Sequence, residues 1–276
     1  MARIGIMQGR LLPPVDDTIF HFPRGHWAEE FELAARAQFD CIEWIYDVYG
    51  ADDNPLATDE GIEKINQLAR QNGIQIASLC ANYFMDNLLV RATASELDER
   101  TNTLKWLFLQ SQKIGVKRMV LPFLDASLIE TEKEIKDVIA LLRRVAPAAE
   151  KMGIDLLIES SLQPQRLAAL LAELPSPIIK INYDTGNSAS LGYDPVDEFK
   201  AYGQRIGSVH VKDRLRAGGT VLLGTGDTDF EAVSSGLKSI GYTGDFILEA
   251  ARSTRGDELP LAIHNREFIR NYLWAD

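Results

Sequence analysis

Glu159, Asp184, His210 and Glu249 each close a short run of aliphatic and β-branched residues: Asp155–Glu159, Ile178–Asp184, Ile206–His210 and Phe246–Glu249. Three carboxylates and an imidazole are oxygen and nitrogen donors that suit one divalent ion, with Mn²⁺ the first expectation and Mg²⁺, Co²⁺ or Zn²⁺ as alternatives. Three carboxylates gathered without a cation would repel one another, and a metal resolves that conflict. The competing account makes each residue an unrelated polar group at a loop entrance, where polar side chains collect. It serves for any one of them better than for all four. His210 is set apart from His21, His26 and His264 because it alone lies between strand-forming residues, Val209 and Val211. Its own competing account is a core histidine bonded to a backbone carbonyl.

Apolar runs of this kind read as buried parallel strands. Eight are expected, at Arg3–Gly9, Cys41–Tyr46, Ile74–Ala81, Lys117–Leu124, Ile154–Ser160, Ile178–Asp184, Ile206–Lys212 and Asp245–Glu249. Between them amphipathic periodicity predicts helices over Trp27–Gln38, Asp59–Asn72, Ala94–Ile114, Glu132–Met152, Gln165–Leu174, Pro195–Gln204, Phe230–Ile240 and Leu259–Trp274. Gly73, Gly115, Gly153 and Gly241 each stand where a helix ends just before a strand, the pattern of a glycine C-cap and a short loop.

Eight such units with no Pro- or Ser-rich linker predict one (β/α)8 TIM barrel over residues 1–276. An open doubly wound sheet is the runner-up, but Gln8-Gly-Arg10 stands where its glycine-rich fingerprint would follow the first strand. In a barrel the active site forms at the C-terminal ends of the strands. The four polar residues end the fifth to eighth expected strands, which are neighbours around the ring, so their side chains can converge.

Composition narrows the partners. The chain of 276 residues is 46% hydrophobic, enough for a sizeable core, and carries a formal charge of −11. That balance disfavours nucleic acid and anionic membrane surfaces, which reward clustered Lys and Arg. Cys41 and Cys80 sit in apolar runs without metal or redox spacing and are expected to be buried thiols. No apolar run approaches the ~18 residues of a membrane span. Arg3-Ile-Gly-Ile6 reads as a strand already begun rather than a leader, so a cytoplasmic protein is expected.

Asp184-Thr-Gly-Asn-Ser188, Val209-His-Val-Lys-Asp213, Leu223-Gly-Thr-Gly-Asp-Thr-Asp-Phe230 and Gly241-Tyr-Thr-Gly-Asp-Phe-Ile-Leu-Glu249 carry a resemblance. Together they resemble the xylose-isomerase-like sugar epimerases and isomerases, with local likeness to L-ribulose- and L-xylulose-5-phosphate 3-epimerases and ketose 3-epimerases. The likeness is strong over about Asp155–Ala250 and weaker before it, where Ile42-Glu-Trp44 is the main match. It implies that Glu159, Asp184, His210 and Glu249 are metal ligands, and that Glu159 and Glu249 also exchange a proton on opposite faces of a sugar carbon.

The same resemblance makes Arg216, six residues past His210, a candidate for a substrate oxygen, with a solvated loop charge as the alternative. Asn187 falls where free-ketose epimerases hold a substrate-binding His and the phosphate-sugar enzymes an Asn. Glu43 is a third substrate-binding candidate, with a structural ion pair as its alternative. Gly224 and Gly226 could offer N–H groups to a phosphate, which Asp227 and Asp229 oppose. The expected activity is C3 epimerisation of a ketose or ketose phosphate. An aldose–ketose isomerase or an inosose-type dehydratase is the alternative, and a metal-dependent AP endonuclease or a non-catalytic sugar-binding protein is more remote. The resemblance also implies a homodimer or homotetramer.

Overall fold

A computed structural model of the protein describes residues 2–14 and 21–273. Eight parallel strands close a barrel: β1 (Ile4–Met7), β2 (Cys41–Ile45), β3 (Gln75–Cys80), β4 (Arg118–Phe123), β5 (Asp155–Ser160), β6 (Ile179–Asp184), β7 (Ile206–Val211) and β10 (Asp245–Leu248). Two further short strands, β8 (Asp213–Arg214) and β9 (Thr220–Val221), pair antiparallel in the loop after β7. Closure is made by β1, which pairs with β2 on one side and with β10 on the other, Ile4 opposite Phe246.

Eight helices cover the strands: α1 (Glu29–Arg36), α2 (Asp59–Asn72), α4 (Ala94–Lys113), α5 (Glu132–Met152), α6 (Pro164–Ala172), α8 (Pro195–Tyr202), α9 (Phe230–Ser239) and α10 (Glu258–Tyr272). Every expected strand and helix forms, with ends displaced by at most two residues. Trp274, the expected end of the last helix, lies outside the described residues. Gly73 and Gly153 take left-handed backbone (φ 67° and 68°) as C-caps of α2 and α5, a conformation that a Cβ would penalise. At their N-termini the longest helices are closed by capping boxes, Thr93 with Glu96 on α4 and Thr131 with Glu134 on α5.

Two helices were not expected, α3 (Tyr83–Asp86) and α7 (Thr185–Leu191). Thr-Gly-Asn-Ser-Ala-Ser-Leu has poor intrinsic helix propensity. It is helical because the Asp184 side chain caps the Asn187 N–H and Gly192 ends the turn at φ 74°. α7 is then held from outside. Buried Glu198 on α8 accepts the hydroxyls of Ser188, Tyr183 and Tyr202.

Strand alternation divides the side chains between the barrel interior and the helical shell. On β2, Ile42 and Trp44 face outward, Trp44 packing among Phe22, Trp27 and Phe31, while Glu43 faces inward to His210. Each large apolar side chain buried this way contributes about 1.5–3 kcal/mol. Cys41 and Cys80 are buried and free, as expected. The N-terminal end of the barrel is closed by charge: Asp245 on β10 pairs with Arg3 before β1 and with Arg118 on β4, reaching across the ring.

Candidate metal centre and active site

At the other end, Glu159 (β5), Asp184 (β6), His210 (β7) and Glu249 (just after β10) present ligand atoms that all lie within 4.8 Å of one another, and all four are buried. His210 Nδ1 faces the carboxylates, 3.0 Å from Glu249 Oε2 and 3.5 Å from Glu159 Oε2. Its Nε2 lies 2.8 Å from Glu43 Oε1, and the other Glu43 oxygen accepts the Ser78 hydroxyl at 2.6 Å. Glu43 and His210 are both 0% exposed. Glu43 therefore lies behind the imidazole and is shut off from the barrel mouth. A carboxylate there braces the ring from behind, and Nδ1 is the ring nitrogen that a cation at the centre of the other carboxylates would meet.

Lys212 and Asn182 join the cluster without having been expected. Lys212 Nζ lies 2.7 Å from Glu249 Oε1 and 3.0 Å from Asp184 Oδ2. Glu159 accepts two amide hydrogen bonds, from Asn182 Nδ2 at 2.9 Å and Asn187 Nδ2 at 3.0 Å. Alternation alone could have flagged both, since Lys212 is two residues past His210 and Asn182 two before Asp184, on the same strand faces. Arg10, three residues past β1, adds a buried guanidinium 3.9 Å from Glu249 Oε1.

The two glutamates differ electrostatically. Burial, joined by the charges of Asp184 and Glu249, pushes Glu159 up to about 7 against the opposing pull of His210 and Lys212. Burial also acts to raise Glu249, but Lys212, His210 and Arg10 outweigh it and hold that carboxyl below the usual range. His210 is likewise raised: burial would lower it, yet Glu43, Glu249 and Glu159 around the ring prevail.

The donor set fits a divalent cation on two grounds. Hard carboxylate oxygens and one imidazole nitrogen converge on one point. In addition, Asp184 Oδ2 and both ring nitrogens of His210 are buried without a well-directed hydrogen bond, and Oδ2 and Nδ1 are the ones turned to the shared point.

The remaining candidates separate in space. Asn187 lies at the carboxylates, its backbone N–H on Asp184 Oδ1 at 2.8 Å and its amide on Glu159. Arg216 does not join them. It is exposed on the outer side of α7 beside Gly192, and with Asp227, Asp229, Thr185 and Tyr193 it lines a separate cavity of about 240 Å³. The N–H groups of Gly224, Gly226 and Thr228 are already taken by the Asp213 carboxylate at 2.9, 2.8 and 3.1 Å, so the place where a phosphate could have docked is filled from within. Asp229 caps α9. Of the other histidines, His26 pairs with Glu29 at the surface and His21 stacks on Tyr49.

The family described as Xylose isomerase-like TIM barrel matches residues 31–272, and the chain belongs to it. Among curated proteins, an inosose dehydratase of Clostridium tetani (strain Massachusetts / E88) is 26% identical over 177 residues, covering 55% of this chain and 59% of that protein. This chain thus spans less than two thirds of that relative's length. Among solved structures, an L-ribulose 3-epimerase superposes with a TM-score of 0.78 at 22% identity, covering 99% of this chain and 95% of that one. The IolI protein with a binding zinc atom also gives 0.78, at 17% identity over 99% and 100% of the two chains. At these identities the structural likeness speaks for the fold. Among the described residues no helix is long and apolar enough to cross a membrane.

Proposed function

We propose that this protein is a divalent-metal-dependent enzyme of the sugar isomerase and epimerase type, inverting C3 of a ketose or ketose phosphate through an enediolate. One observation carries the reading: two buried glutamates from non-adjacent strands share one donor set with Asp184 and His210. The neighbouring structures of an L-ribulose 3-epimerase and a zinc-bound IolI protein support the reaction class and a metal of this charge.

A divalent ion, Mn²⁺ by first preference, held by Glu159, Asp184, His210 and Glu249 would supply Lewis acidity that makes a proton next to the substrate carbonyl easier to remove. The chain's residues do the rest. Glu249, kept ionised by Lys212 and Arg10, takes the proton from one face. Glu159, on the far side of the same donor set, returns a proton to the opposite face. Glu43 orients His210. Asn187, anchored between Asp184 and Glu159, is the substrate contact nearest the reacting carbon, while Arg216, in its separate cavity, takes no part.

The protein incubated with Mn²⁺ and a panel of ketoses and ketose phosphates in D₂O is expected to exchange the C3 hydrogen and accumulate the C3 epimer. Glu249→Gln is expected to abolish both. Exchange at the wild-type rate in that variant would refute the assigned role. A second reading is favoured by the curated relative: a dehydratase of a cyclic polyol ketone removes the same kind of proton and then loses β-hydroxide. Loss of water from inosose without epimer formation from any ketose would establish that reading instead.

A further inference from the structure

Arg214, four residues past His210, lies on β8 and is tethered at both ends of its guanidinium. Nε and Nη2 donate to Gly218 O at 3.1 and 2.8 Å, and Nη1 donates to Asn187 Oδ1 at 2.8 Å. The turn that carries Gly218 is itself docked on α7, through Ala217 N–H to Ser190 O at 2.8 Å, and closed by Gly218 N–H to Leu215 O at 2.8 Å. The guanidinium therefore reaches the site from a braced support.

A guanidinium has donors and no acceptor. Its contact with Asn187 decides which end of that amide is oxygen, and the NH₂ end must then face Glu159, where it donates to Oε1 at 3.0 Å. Asn182 grips the other oxygen at 2.9 Å, so the plane of the Glu159 carboxylate is fixed by two amides, one of them steered by Arg214. Without Arg214 the Asn187 amide could turn and set oxygen against oxygen. Arg216 has no such path, being outside α7 beside Gly192.

We propose that Arg214 is a positioning residue that acts on Glu159 through Asn187, holding that carboxylate in the orientation from which it binds the cation. The inference rests on the reading of Glu159 as a ligand. Its test is a double-mutant cycle on Mn²⁺ affinity, measured by calorimetry or by the electron paramagnetic resonance of free Mn²⁺.

Asn187→Ala and Arg214→Met are each expected to weaken Mn²⁺ binding by roughly 10–100-fold, the usual effect of losing an outer-sphere partner. The double variant is expected to bind no more weakly than Asn187→Ala alone, because both changes remove the same link. Wild-type affinity in Arg214→Met, or additive losses in the double variant, would overturn the proposal. Arg214→Lys keeps the charge should the Met variant not fold, and its cycle with Asn187→Ala is expected to be non-additive in the same way, with additivity counting against the link. Glu159→Gln separates the two levels. Unchanged Mn²⁺ affinity there overturns the ligand assignment and this inference with it, whereas a loss there with unaffected Arg214 variants overturns the role of Arg214 alone.

Discussion

At the scale of single residues, the site is governed by how buried charges are shared. Glu43 is an acid with no exposure, and its contacts are His210 and Ser78. Glu43→Gln keeps the shape but removes the charge that fixes the imidazole. Mn²⁺ affinity is expected to drop by roughly 10–100-fold while the fold persists, as a titration of the purified variant would measure. Glu159 gives a pH dependence. Its carboxyl moves from the ordinary 4.5 to about 7 on folding, so between those values the folded chain holds a proton that the unfolded chain has released. For an acid raised in this way, stability is lost as pH rises from 4.5 to 7 and the loss is complete above 7. A cation bound through this carboxylate must displace the proton below pH 7 and gains nothing further above it. The increase in Tm on adding Mn²⁺ is therefore expected to be larger at pH 8 than at pH 6. Equal increases would mean that Glu159 is not both protonated and a ligand.

At the scale of elements, α7 shows how a sequence with little helical preference is made helical by its surroundings. It begins at Asp184, whose Oδ1 caps the helix while Oδ2 turns to Lys212 and the candidate metal centre. Helix formation and ligand placement thus depend on one side chain. From outside, Glu198 accepts three hydroxyls and is raised by its burial. Glu198→Ala would leave the Ser188, Tyr183 and Tyr202 hydroxyls without an acceptor, at about 1–3 kcal/mol for each that finds no new partner. An overall loss of about 3 kcal/mol is expected from urea unfolding, and weaker Mn²⁺ binding should accompany it because α7 carries Asn187. Unchanged stability would show that water replaces the carboxylate there. The hairpin of β8 and β9 is the counterpart of α7, since Asp213 gathers three N–H groups of its loop and so presents Arg214.

At the scale of the molecule, the barrel separates stability from chemistry along its axis. Asp245 joins Arg3 and Arg118 at the N-terminal end, whereas the four ligand candidates and Lys212 lie at the C-terminal end. Asp245→Ala leaves two guanidiniums facing each other with their common partner gone. Both arginines are only 21–26% exposed, so the cost is below the 3–5 kcal/mol of a fully buried pair, about 2–3 kcal/mol. Denaturant unfolding is expected to record that loss with Mn²⁺ affinity unchanged. A matching loss of affinity would mean that the two ends are coupled through the strands.

The eight strands, their helices and the glycine caps were legible because each depends on local periodicity and on turn chemistry. The four ligand candidates were legible because they interrupt apolar runs at their ends. Three things were not. The spacing of Lys212 from His210 puts it on the same strand face, but not between Asp184 and Glu249, where the fold sets its Nζ. Glu43 could be either a substrate contact or a structural ion pair by sequence, and only the packing of β2 against the interior sets it behind His210 as the ion pair. Arg214 and Arg216 are alike in a sequence, and the turn at Ala217 sends one toward Asn187 and the other outside α7. Periodicity and residue type act over a few positions along the chain, so they fix elements and nominate chemistry. Which charge ends up against which depends on contacts between residues 23 to 242 positions apart, and only closure of the barrel brings those together.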